Sequence, residues 1–233
     1  MKKIGLIVFV AAIILGVAVS SFFSWGKASG EMFDFSLKIG REKGSGRMAV
    51  DVRDVRDFES IDVSSVFQVE VVAQGDFHVE VEADDNLLQY VRTEVSNGEL
   101  QISLDKSVKA SNPLRVRITA PNIERLEASG ASKVNITDLK NSEFVVDASG
   151  ASKIQVSGET AGLTVDVSGA SHVNAVDLNA VNATVDASGA SKVNISVSGE
   201  LRSEASGASN ISYTGTPTNV YKKTSGASSI SQK

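Results

Sequence analysis

The tetrapeptide Ser-Gly-Ala-Ser begins at Ser129, Ser149, Ser168, Ser188, Ser206 and Ser225, at spacings of 20, 19, 20, 18 and 19 residues. A unit of that length cannot bury a core alone, so each copy must stack its apolar side on the next. The period suits one coil of a β-solenoid. The leucine-rich repeat shares the period but needs a Leu-x-x-Leu-x-Leu pattern, and the chain has none.

The phase of the apolar residues fixes which side of each coil faces inward. Five, three and one places before the first Ser stand Phe144, Val146 and Ala148, then Leu163, Val165 and Val167, then Ala183, Val185 and Ala187. After the tetrapeptide the inward set resumes as Val134 and Ile136, Ile154 and Val156, Val173 and Ala175, Val193 and Ile195, Ile211 and Tyr213. The period of two slips by one residue across Ser-Gly-Ala-Ser, which requires a corner. Gly supplies the positive φ that such a corner demands, so these glycines are a backbone requirement and not a phosphate cradle.

Two outward positions also recur. Two places before the first Ser are Glu127, Asp147, Asp166, Asp186 and Glu204; four places after it are Lys133, Lys153, His172 and Lys192. With coils about 4.8 Å apart, an acidic row is expected beside a basic one, each neutralising the other across the corner. Asp147, Asp166 and Asp186 are the candidate ligands for a metal ion, with calcium the hard cation their oxygens would suit; otherwise they form a solvated face. No other cofactor is expected. Asn135, Asn174 and Asn194 follow the basic row by two places and suit an amide stack.

The rest of the composition agrees with an all-β chain. Only 6% of residues are aromatic and there is no cysteine, which excludes disulfides, thiolate metal sites and cysteine nucleophiles. A formal charge of −5 gives no global basic footprint, so nucleic acid is not an expected partner. At the N-terminus Lys2 and Lys3 precede an uncharged apolar run that reaches Trp25. That is an export signal by pattern. Ala18-Val19-Ser20 offers a cleavage site, while the 22 residues from Ile4 to Trp25 are long enough to remain as a membrane anchor. Residues 1–25 are therefore a signal peptide or membrane anchor, 26–47 a Gly-rich linker with a short alternation at Phe33, Phe35, Leu37 and Ile39, and 48–233 the β domain.

Within residues 48–110 the period is two. Phe67, Val69 and Val71, then Gln74-Gly75-Asp76, then Phe77, Val79 and Val81 predict a hairpin; Val91 to Val95, Asn97-Gly98 and Leu100 to Leu104 predict a second, with a type I′ turn. Asp84, Asp85 and Asn86 lie between them and are expected to cap a corner or short helix more than to ligate a cation. Residues 111–233 are the repeat solenoid. The fold class expected is thus a right-handed parallel β-solenoid of β-helix type, with a β-hairpin-rich portion before it and a transmembrane or signal helix before that.

Neither His78 nor His172 has a catalytic motif around it, and serines that recur in every coil signal architecture. No enzymatic activity is expected.

The ordered series Arg56-Asp57-Phe58-Glu59-Ser60-Ile61-Asp62-Val63, Val69-Glu70-Val71, Gln74-Gly75-Asp76, Thr93-Glu94-Val95 and Asn97-Gly98-Glu99-Leu100-Gln101-Ile102, followed by Ser-Gly-Ala-Ser coils, resembles the head GIN domain family, described as auto-transporter adhesins. The resemblance covers residues from about Val50 onward. It implies a bacterial, extracytoplasmic β-solenoid. Many members look like lipoproteins, for which this chain lacks the cysteine, and no translocator barrel follows the last coil, so self-export is not expected. Three functions are weighed: an interaction or adhesion-like module for a cell-envelope protein or polymer, a membrane-tethered sensory ectodomain in envelope-stress signalling, and a polysaccharide-active β-helix enzyme. The first is the expectation, with the protein held at the membrane by its N-terminal segment or secreted after cleavage.

Overall fold

The computed structural model describes residues 41–233 and is nearly all strand. The signal or anchor segment and the alternation from Phe33 to Ile39 lie outside the described residues. Before the first Ser-Gly-Ala-Ser come β1 (Glu42–Lys43), β2 (Met48–Arg53), β3 (Ser60–Val63), β4 (Gln68–Val72), β5 (His78–Asp84), β6 (Val91–Ser96), β7 (Glu99–Leu104), β8 (Val108–Lys109), β9 (Arg115–Thr119) and β10 (Arg125–Ala128). The repeats supply β11 (Lys133–Ala148), β12 (Lys153–Val167), β13 (His172–Ala187), β14 (Lys192–Val197), β15 (Glu200–Ala205), β16 (Asn210–Thr214), β17 (Asn219–Thr224) and β18 (Ser229–Gln232). All but β1 and β8 share one 16-stranded sheet, whose parallel-paired strands wind as a β-solenoid.

Each coil has two arms, and the inward residues of each arm stack in register. On the first arm Val69, Val134, Ile154, Val173, Val193, Ile211 and Ile230 are successive Cα partners. On the second, Ile61, Leu126, Val146, Val165 and Val185 form one row and Val63, Ala128, Ala148, Val167, Ala187 and Ala205 another. Every aliphatic residue of these rows is buried except Ile230, which is partly buried. Each buried Val, Leu or Ile contributes about 1.5 to 3 kcal/mol, but only when a coil covers it on both sides. β11, β12 and β13 run through both arms, bending where the register shifts.

The corner between coils is the Ser-Gly-Ala-Ser turn. Its glycines have φ between 71° and 75°. The ladder passes straight through it: the Ala151 N–H donates to the Gly130 carbonyl at 2.7 Å and the Ala170 N–H to that of Gly150 at 2.8 Å, and the later coils repeat the contact. A Cβ on Gly169 would come within 2.5 Å of the Gly150 carbonyl oxygen, so stacking and positive φ both demand glycine here. The last serine of the motif turns inward. Ser132, Ser152, Ser171, Ser191 and Ser209 are buried as a row of hydroxyls; Ser152 and Ser171 are bonded Oγ to Oγ at 3.2 Å, and the Ser209 hydroxyl bonds the Ala187 carbonyl at 2.9 Å.

The portion before the repeats is partly as expected. β6 and β7 form the second hairpin, with Asn97 and Gly98 both at positive φ. The first hairpin does not form. β4 and β5 do not pair with each other; β9 lies between them, parallel to β4 and antiparallel to β5. The cause is that β3 and β4 are arms of a solenoid coil, paired in parallel with β10 and β11. Their corner is Ser64-Ser65-Val66-Phe67, with Ser65 at φ 83° accepting the Ala131 N–H at 2.7 Å. Phe67 fills the place of the buried serine. The stack thus begins within residues 48–110, and this coil sits between β7 and β9 on one side and β10 and β11 on the other.

Residues 42–47, the end of the stretch expected to be a linker, are held in the fold. β1 pairs with β8, and the Gly46 N–H donates to the Asp84 carboxylate at 3.0 Å. A short 3-10 turn (Leu88–Tyr90) follows the corner at Asp84 to Leu87. Among the described residues no helix is long and apolar enough to cross a membrane.

Candidate functional site

Three groups of polar side chains stand out from the scaffold. The first is Asp84, fully buried, whose two oxygens accept from the Gly46 N–H, the Ser111 N–H at 2.8 Å, the Asn112 N–H at 3.3 Å and the Asn112 side-chain amide at 2.7 Å. Burial alone raises its pKa, but these hydrogen bonds outweigh that and the net direction is down. Its oxygens are filled by N–H donors. It is therefore a structural clasp between two loops and not a cation ligand; the local capping expected of it is not made, since the 3-10 turn that follows has no side-chain cap and the Asp84 carboxylate reaches Gly46, Ser111 and Asn112 instead.

The second group is the acidic row. Glu127, Asp147, Asp166, Asp186 and Glu204 are successive Cα partners, and the row extends one coil further, to Asp62. Asp62 escapes sequence inspection because its coil lacks the tetrapeptide. Arg125 pairs with Asp147, and Lys223 with Glu204 at 2.8 Å. Burial and then the charges of Asp186 and Asp147 raise the pKa of Asp166; burial and then Glu127 and Glu99 raise that of Asp62. Among the described residues no group of three or more Asp, Glu, His or Cys is arranged to hold a metal ion. Asp147, Asp166 and Asp186 stand side by side along a sheet, whereas calcium needs six to eight oxygens that converge.

The third group is the basic row, in which Lys133, Lys153, His172 and Lys192 are successive partners. The expected neutralisation across the corner is absent: among the described residues Lys133, Lys153 and Lys192 make no ion pair within 4.0 Å, and the partners of the acidic row come from its own arm. Five residues, the four of the corner and the inward one before them, separate the two rows and place them on different arms. Burial, then Lys192, Lys153 and Lys233, lower the pKa of His172. Beside this row run Asn135, Gln155, Asn174 and Asn194 in register. They form a row as expected, but the amide-to-amide hydrogen bonds of a stack are not made; Asn194 instead meets Lys233 Nζ at 3.1 Å and lies 3.5 Å from His172 Nε2.

Neither histidine bonds a serine or a carboxylate among the described residues. One shallow groove between outward rows is lined by Glu143, Asn182, Glu200 and Arg202 across Gly162.

The family model described as "Putative auto-transporter adhesin, head GIN domain" matches residues 57–217. The chain is similar to the crystal structure of a "putative adhesin" from Bacteroides fragilis NCTC 9343, with a TM-score of 0.68 and 19% identity, over 82% of this chain and 99% of that one. It is also similar to that of a "putative lipid binding protein" from Parabacteroides distasonis ATCC 8503, with a TM-score of 0.51 and 19% identity, over 83% and 99% of the two chains. Among curated proteins no sequence matches.

Proposed function

The chain belongs to the head GIN domain family, and from that premise we propose that it is a non-enzymatic, adhesion-like interaction module of the cell envelope. One observation carries the reading: outward side chains repeat in register from coil to coil, giving flat faces that offer the same charged or amide group about every 4.8 Å. Such a surface suits an extended partner with a repeat of its own. The lysine pair and apolar run before Trp25 support an extracytoplasmic location, held at or released from the membrane.

The test is a survey of the purified full chain in mild detergent against cell-wall sacculi, envelope polysaccharides and lipid vesicles, with and without calcium. A ligand that binds only the folded state raises the thermal midpoint with concentration. A dose-dependent rise with one class is expected. No rise with any class, together with crosslinking to a single membrane protein, would replace this reading with the sensory ectodomain. A rise that needs calcium and is lost in Asp147→Asn and Asp166→Asn would assign the acidic row.

A further inference from the structure

Several cations of this molecule are paired with carboxylates, but those along one line are not. Arg117 reaches Glu80 at 2.6 Å and Glu82 at 3.0 Å, Arg47 reaches Asp85 at 2.8 Å, and Lys106 reaches Glu42 at 2.9 Å. Lys133, Lys153 and Lys192 are exposed and have no carboxylate within ion-pair distance among the described residues, although the chain carries a net charge of −5. Together with His172 they occupy four consecutive coils in strict register. Like charges at this spacing repel, and a row of anions at the same spacing would remove that repulsion.

What lies beside the row narrows the chemistry. Asn135, Gln155 and Asn174 offer amide groups at the same pitch with no bond to one another, and amides both donate to and accept from hydroxyls. Gln68, Glu70, Lys133, Asn135, Lys153 and Gln155 line one shallow groove. Apart from His172, no outward residue of the first arm is aromatic from Lys133 to Ser196, so the face offers one imidazole and no row of rings for successive nucleobases to stack on. Cations beside amides, without Phe, Tyr or Trp, fit a polymer of hydroxyls and anionic groups.

We propose that this face binds a linear acidic polysaccharide running along the solenoid axis, its anionic groups on Lys133, Lys153 and Lys192 and its hydroxyls on Asn135, Gln155 and Asn174. The assignment rests on the interaction-module reading and gives that module a ligand class. His172 sits within the row as a reporter. Its imidazole is held toward the neutral form by burial and the neighbouring lysines, so a polyanion laid over them should raise its pKa.

The experiment titrates the full chain with polygalacturonate fragments of graded length, dextran sulfate, uncharged dextran, galacturonate monomer, inorganic polyphosphate and oligothymidylate. Binding to polygalacturonate or dextran sulfate is expected, weakening with salt and strengthening with fragment length until four coils are spanned. The two polymers separate carboxylate from sulfate. Dextran and the monomer are expected not to bind. The triple variant Lys133→Gln, Lys153→Gln, Lys192→Gln is expected to lose at least tenfold in affinity with an unchanged thermal midpoint, whereas Asp147→Asn with Asp166→Asn should not weaken binding. Should the triple variant misfold, NMR titration of His172 in the native chain decides: its pKa should rise on adding the polymer. Undiminished binding by a folded triple variant, an unmoved His172, or tighter binding to polyphosphate or oligothymidylate would overturn the assignment. If the chain binds sacculi or vesicles but neither acidic polysaccharide, this inference falls and the interaction module stands; if it binds nothing, both fall.

Discussion

Asp166 stands between Asp147 and Asp186, and burial together with those charges raises its pKa. A carboxyl whose folded pKa exceeds its unfolded value of about 3.9 holds its proton better when folded. The stabilisation this brings is complete below the unfolded value and is lost as pH rises through the folded one. At neutral pH the ionised Asp166 therefore costs stability. Asp166→Asn is expected to raise the thermal midpoint near pH 7 by about 1 to 2 °C, equivalent to about 0.5 kcal/mol for two like-charged neighbours at a screened surface. Near pH 3 the gain should vanish. Calorimetry of both proteins between those pH values checks this, and equal midpoints throughout would mean that the row's charges do not interact. Asp84 has the opposite sign: its folded pKa is depressed, so its stabilisation is present above the unfolded value and lost as pH falls through the folded one. Asp147, Asp166 and Asp186 were legible as a row because a fixed offset from a repeated corner is a fixed place on a coil. That they stand in parallel without converging is a matter of sheet geometry, which spacing does not carry.

Strands at the edges of the sheet differ in how they meet solvent. β17 pairs only with β15 among the described residues and is exposed along its whole length. The row filled by Val146, Val165 and Val185 continues through Ser203 to Lys222, whose Nζ lies 4.7 Å from the centroid of the Tyr213 ring. An inward-facing charge on an edge strand blunts further pairing. Lys222→Val is expected to make the protein self-associate with rising concentration, seen by sedimentation velocity as a growing fraction of dimer and larger species. An unchanged sedimentation profile would show that Lys222 does not guard this edge. β2, at another edge, leaves Val50 and Val52 exposed, with Asp51 paired to Arg53 at 3.2 Å. The failure of the expected hairpin over residues 67–81 has the same root: alternation identifies a strand, but the partner is chosen by whichever row its apolar residues complete. Val69 and Val71 complete the row of Val134 and Ile136.

For the molecule as a whole, the solenoid was legible because six copies of one corner leave no other way to bury the residues between them. Its first coil was not, because Ser64-Ser65-Val66-Phe67 keeps the corner's backbone while changing three of its four residues. That coil is interleaved with strands made later in the chain, whereas each repeat coil rests on its immediate predecessor. The difference decides how the protein would bear a load. Inter-coil hydrogen bonds point along the axis, so a pull on the C-terminal coil opens them one turn at a time. A freed coil of 18 to 20 residues lengthens the chain by about 60 Å at roughly 3.3 to 3.6 Å per residue, less the coil's own thickness. In optical tweezers, with force applied between residues 41 and 233, the repeats are expected to yield as evenly spaced rips of about that length, followed by one larger rip as the interleaved strands release together. A single rip for the entire domain would contradict this. Under tension, the molecule would pay out slack in measured lengths from one end while its interleaved base held fast.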